Sequence, residues 1–276
     1  MIRHWLQRLR AGREAAIVKR RAIPDDLWKR TLVRYPFLQR KDPSDAAELR
    51  RLTSLLLDRK EFSVVGGLKL TDMLAVSIAA QAALPALRLG LTVYDSFVGI
   101  VVHPGAVSAP RSHQDEDGVV HEYHEELAGE FVQGGPLMLS WPDVRMAGRD
   151  CRQAYNVVIH EFAHVLDAAN GEPNGVPPLP ADISRADWLR TLEDEFTRFA
   201  ERVQADEETA MDPYAAHGPD EFFAVASESF FVDPDGLQAE HPAFYALLCR
   251  FYRQDPQKER PPARSAAAGV PGKPRA

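Results

Sequence analysis

The chain has 276 residues, 45% of them hydrophobic and 26% charged, with a formal net charge of −7. That size suits one large domain with a full core, and the acidic balance excludes a broad basic face for direct nucleic-acid binding. No run approaches the roughly 20 apolar residues that cross a bilayer, so no transmembrane segment is expected.

The amino-terminal residues lack the apolar stretch of a secretory signal. The two cysteines, Cys151 and Cys249, form no motif and sit in apolar-patterned segments. Buried thiols in a reducing cytoplasm are expected, so the localisation read from the sequence is cytoplasmic.

From Arg3 to Arg20 the pattern is a basic amphipathic helix, with Trp5, Leu6, Leu9, Ala16 and Ile17 as its apolar stripe. A second helix runs from Pro24 toward Arg34. A third is capped by Ser44 or Asp45 and carries Leu49, Leu52, Leu55 and Leu56. Thr71 caps a helix of small residues that is apolar on most sides and is therefore expected to be buried.

At Gly90 the pattern changes. Leu91 to His103 reads as a strand, as do Val119 to Glu126 and Leu137 to Trp141, together a small mixed sheet with the last strand at its edge. Helical periodicity returns from Arg149 to Asn170, and Gly171 and Pro173 stop it. A Pro-rich loop, Glu172 to Pro180, precedes a helix from Ser184 to Gln204. Pro219 stands at the first helical position of the next helix, and Pro242 starts another. The expected class is α+β, mostly helical. The expected organisation is a basic helix over 1–22, a folded domain over 23–254 and a disordered tail over 255–276.

Residues 160–164 read His160-Glu161-Phe162-Ala163-His164. Positions four apart share one helix face, so two imidazoles there can reach one zinc ion. The intervening Glu161 projects beside them as the general base. Zinc lowers the pKa of bound water toward about 7, so a carboxylate can take its proton. The apolar flanks, Val157 to Ile159 and Phe162 to Leu166, place these polar side chains on a helix that is otherwise core. There they are costly unless paired or metal-bound.

A catalytic zinc site keeps three protein ligands and an open position. A third histidine in the metzincin pattern is excluded, because Asn170 and Asp167 occupy the positions of its His and Gly. The remaining candidates are Glu193, Glu195, Glu221 and Glu228. Of these regions, only the run from Glu221 to Phe231 places a carboxylate in the first turn of an otherwise apolar helix. Glu221 and Glu228 share a face of that helix, so one can bind the metal while the other holds a ligand histidine. Asp167, one turn past His164, either orients an imidazole or caps the helix end.

Asn156 to Asp167, Gly135 to Trp141, and Tyr214 followed by Glu221 to Phe231 are together similar to the Mlc titration factor A family of zinc metallopeptidases. That family's site is related to the anthrax lethal factor catalytic domain. The resemblance extends from about Ile23 to Tyr252 and includes the segment Ile78 to Ala82. It implies a zincin-like fold and one zinc per chain held by His160, His164 and Glu221, the gluzincin arrangement. It also implies Glu161 as base and a functional Tyr214 that donates to the oxyanion. The implied activity is an aminopeptidase-like peptidase acting on short peptides.

The implied partner, besides peptide substrate, is a glucose-responsive transcriptional repressor. A non-catalytic protein that titrates such a regulator is the alternative, and a hydrolase of non-peptide amides a third. Ser140 and Trp141, at the end of the expected edge strand, are candidates for binding extended substrate by β-addition.

Overall fold

The computed structural model describes residues 2–114, 120–131, 134–148 and 154–259, with the backbone alone over 2–4, 6–10, 107–114 and 120–127. Three helices open the chain: α1 (Ile2–Arg20), α2 (Asp25–Arg34) and α3 (Pro43–Arg59). The cap of α3 is Asp42 rather than Ser44 or Asp45. The Asp42 carboxylate accepts from the Asp45 backbone N–H at 2.9 Å, and Pro43 fits the first helical position because no N–H is needed there. Asp45 instead pairs with Arg88 at 2.5 Å. The end of α1 packs on α3 through Ile17 and Val18, with ion pairs Arg51–Glu14 and Arg20–Asp58 at 2.9 and 2.7 Å.

A short strand, β1 (Glu61–Val64), follows, then α4 (Asp72–Ala83), capped by Thr71 as its sequence predicts. From Leu74 onward α4 is almost wholly buried. It packs against α2, α3 and the two helices that follow the sheet. The single strand expected from Leu91 to His103 is divided. Leu91–Tyr94 forms a 3-10 turn, and β2 is only Gly99–His103. Tyr94 turns inward to donate to the Ala82 carbonyl at 3.0 Å, which ties the turn to α4.

The remaining strands are β3 (Val107–Gln114), β4 (Val120–Leu127), β5 (Gly129–Phe131) and β6 (Leu137–Ser140). β3 and β4 pair antiparallel as a separate hairpin. The main sheet has the order β1-β2-β6-β5, parallel except for β5, which runs antiparallel to β6. The expected edge strand, Leu137 to Trp141, is therefore internal. Three residues of β5 cover its flank, too short a run for periodicity to reveal. Trp141 is not in the sheet: it begins α5 (Trp141–Met146), with Pro142 in its first turn.

The metal-motif helix, α6 (Val157–Asp167), starts well after Arg149 because Asn156 caps it; the Asn156 side chain accepts from the Ile159 N–H at 3.0 Å. Part of the predicted extension, 149–153, lies outside the described residues. α6 packs on β5, β6 and α4, with Phe162 edge-on to Tyr94 and Phe97. α7 (Arg185–Gln204), α8 (Pro219–Val232), α9 (Pro234–Glu240) and α10 (Pro242–Tyr252) complete the fold. Phe222, Phe223, Phe230 and Phe231 of α8 are buried against Trp188, Phe199, Phe244, Phe251 and Tyr252, and this aromatic cluster fixes α8 beside α6.

The predicted tail divides at 260. Asp255 to Glu259 fold back, with Lys41 bonded to Glu259 and to Gln254, and 260–276 lie outside the described residues. Cys249 is half-buried, and burial pushes its thiol up to about 11; Cys151 lies outside the described residues. No helix among the described residues is long and apolar enough to cross a membrane.

Candidate metal centre

His160 and His164 project from one face of α6, and Glu221 reaches them from the first turn of α8. His160 Nε2 lies 3.1 Å from His164 Nε2. Glu221 Oε2 lies 3.2 Å from the first nitrogen and 3.4 Å from the second. A tetrahedral ion with ligands at about 2.0–2.1 Å spaces those ligands about 3.3 Å apart. The three donor atoms stand at that spacing. They form the one such His/Cys/Asp/Glu group among the described residues.

Glu221 Oε2 is also buried and, despite its two close neighbours, makes no aligned hydrogen bond. A buried carboxylate oxygen in that state is costly unless a cation meets it. Burial alone raises the Glu221 carboxyl, but the two imidazoles outweigh it and hold its pKa far below the ordinary range. Burial lowers the pKa of His160, and Glu221 and Glu228 more than reverse this. The cluster demands positive charge, and the residues fit a metal.

Behind the donor triangle is a buried polar chain. His160 Nδ1 donates to Glu228 Oε1 at 2.8 Å, which leaves Nε2 as the lone-pair nitrogen facing the centre. Glu228 Oε2 accepts from the Asn156 backbone N–H. The Asn156 side-chain amide donates to Gln81 Oε1 at 3.0 Å, and Gln81 Nε2 donates to the Ser77 carbonyl at 3.0 Å. Glu221 thus faces the two imidazole nitrogens, while Glu228 bonds His160 from behind. Of the other carboxylates, Glu195 is committed to His241 and Arg198 at 2.8 and 2.6 Å, and Glu193 is exposed. His217 lies outside the triangle, its Nδ1 2.8 Å from the Tyr214 carbonyl oxygen.

Glu161 is 4% exposed and lines both the cavity that holds the donor triangle and the one beside it. Burial raises its pKa above that of an ordinary glutamate, with the two histidines pulling the other way. A Cβ placed on Gly129 would stand 2.6 Å from Glu161 Oε1, so only glycine lets β5 lie against this carboxylate. Tyr214 is partly exposed at the rim, its ring 6.1 Å from that of His160.

Asp167 serves the backbone: its Oδ2 accepts from the N–H groups of Asn174 and Gly175 at 2.7 and 2.6 Å. It pins the loop after α6 and makes no bond to either imidazole among the described residues. Gly129 and Gly175 carry no signal as site residues in the sequence, whereas Asn156 and Gln81 lie in segments that bear the family resemblance.

The sequence profile of the glucose-regulated metallo-peptidase M90 family matches residues 6–253. The Mlc titration factor A proteins of Yersinia pestis strain Pestoides F and Yersinia pseudotuberculosis strain YPIII are each 37% identical to the chain over 220 residues. Those alignments cover 78% of this chain and 80% of each relative.

Proposed function

The chain belongs to the glucose-regulated metallo-peptidase M90 family, and on that premise we propose that it is a cytoplasmic, zinc-dependent peptidase of the gluzincin type. Its substrates on this reading are short peptides, cut in aminopeptidase fashion. His160, His164 and Glu221 hold the metal, Glu161 is the general base and Tyr214 the oxyanion donor. The observation that carries this reading is the convergence of three donor atoms, 3.1 to 3.4 Å apart, beside a buried glutamate. Family membership implies a metal, and two imidazoles with one carboxylate favour zinc over magnesium or calcium.

Zinc bound there supplies Lewis acidity and a water acidified toward neutrality. Glu161 takes a proton from the attacking water and delivers it to the leaving amine. The Tyr214 hydroxyl donates to the carbonyl oxygen as charge develops there. Glu228 keeps the His160 ring in the tautomer that points a lone pair at the centre. The outer edge of β5 is suited to pair with an extended substrate.

The relatives' name, titration factor, favours a second reading: the chain also binds a glucose-responsive transcriptional repressor. A binder alone has no need of Glu161. Cleavage of a peptide library with and without chelator separates the two. Chelator-sensitive cleavage is expected. No cleavage of any peptide by the zinc-loaded protein leaves the binding reading alone. Glu161→Gln is expected to keep its zinc and lose turnover by orders of magnitude; undiminished turnover removes Glu161 as base.

A further inference from the structure

We propose that the cavity between α6 and α8 is the specificity pocket of this site. It takes an aliphatic side chain of the residue next to the scissile bond, and Val225 with Tyr155 sets its size. The inference rests on the peptidase reading and adds to it the class of substrate.

The cavity holds about 320 Å³. Its wall is Ala128, Tyr155, Val157 and Val225, and its inner end meets His160 and Glu161. Val225 lies on α8 one turn past Glu221, so the helix that brings the carboxylate to the centre also brings this apolar wall. Val157 does the same at the start of α6. Val157 and Val225 are 2% and 4% exposed, which makes the pocket floor rigid core rather than movable surface.

Three of the polar residues that reach the pocket already have hydrogen-bond partners within the protein. Tyr155 donates to Asp143 Oδ1 at 3.1 Å. Glu228 spends one oxygen on His160 and the other on Asn156. Asp212 Oδ1, at the exposed end, accepts from the Tyr214 N–H at 2.9 Å. A charged or amide side chain entering here loses water and finds few free partners, whereas an aliphatic one gains contact with four apolar surfaces. A second cavity, smaller at about 180 Å³, adjoins it and holds the donor triangle itself, His160, His164 and Glu221, with Glu130 and Asp220 beside them. Both cavities share His160, Glu161 and Tyr214. The apolar pocket thus opens directly beside the polar cavity that contains the donor triangle.

The test is equilibrium binding of the hydroxamates of glycine, alanine, leucine, phenylalanine and lysine to the zinc-loaded protein and to zinc-loaded Val225→Ala and Val225→Phe. Wild type is expected to hold the leucine compound about tenfold or more tighter than the glycine one. Val225→Phe is expected to erase that preference, and Val225→Ala to move the optimum to phenylalanine. If Val225→Phe does not fold, the shift in Val225→Ala decides. An unchanged ranking in variants that load zinc normally overturns the proposal, as does tightest binding of the lysine compound. Side-chain-graded binding that shifts with Val225 supports the pocket even if no peptide is cleaved. In that event the peptidase reading alone falls.

Discussion

A methyl group at position 129 would meet Glu161 at Oε1, Cγ and Cδ, all within 2.9 Å. The strand has no slack to give, because Ala128 accepts from Ser140 N–H at 2.7 Å just beside it. Gly129→Ala is therefore expected to displace Glu161 and, if that residue is the base as proposed, to lower kcat about tenfold or more with zinc content unchanged. Metal analysis alongside steady-state kinetics checks this.

Away from the centre, Lys60 is buried, its ammonium donating to the Tyr94 and Phe97 carbonyls and lying over the Phe97 ring. Burial lowers its pKa from 10.5 to about 8. The folded state thus binds fewer protons than the unfolded one between those values, so its stability rises with pH through that window. Relative to Lys60→Met, wild type is expected to gain roughly 2–3 kcal/mol between pH 8 and 10.5, read from denaturant unfolding. The histidine pair and Glu161 were legible from helix geometry alone, because their relation is local. The contact between Gly129 and Glu161 joins distant parts of the chain, and no local pattern encodes it.

The elements that hold the centre are tied at both ends. At the start of α6, Asn156 caps the helix, while its backbone N–H and its side-chain amide hold Glu228 and Gln81. Glu228→Ala removes the acceptor that orients His160, and the expected loss of zinc affinity is about 10–100-fold. Glu221→Ala is expected to lose more, since it removes a donor. Competition with a chromogenic chelator ranks the two, and equal retention of zinc in both would break the assignment.

At the far end, Asp167 grips Gly175, which has φ of 77°. A Cβ there would approach the Pro219 carbonyl oxygen to 2.5 Å, and Glu221 follows closely along the chain. Trp188 also donates to the Gly175 carbonyl at 2.8 Å. Gly175→Ala is expected to push the start of α8 away from α6 and weaken zinc binding about tenfold. The check is zinc affinity measured on protein whose circular dichroism is unaltered. The long helices were legible through their periodicity and their proline and threonine starts. The strands β1 and β5 were not, because four and three residues give no period. With β5 too short to register, the sequence pattern leaves β6 as an edge.

For the molecule as a whole, the metal is expected to act as a ligand of the folded state alone. Zinc at 100 times its dissociation constant adds about 2.7 kcal/mol, so chelation is expected to lower the melting midpoint by several degrees and re-addition to restore it. Scanning calorimetry with and without chelator checks this; an identical midpoint in a protein that does bind zinc would contradict it. The α+β character and the helical majority were legible in the sequence. The packing that makes the centre was not, since it depends on α4, α6 and α8 meeting in space.

The order in which these parts are encoded has its own effect. A chain still leaving the ribosome carries both imidazoles long before Glu221 and Glu228 have been translated, and the aromatic residues that seat α8 come in part from α10, later still. An unfinished chain therefore lacks a closed donor set. On the peptidase reading, any cutting ability arrives only with the last helices.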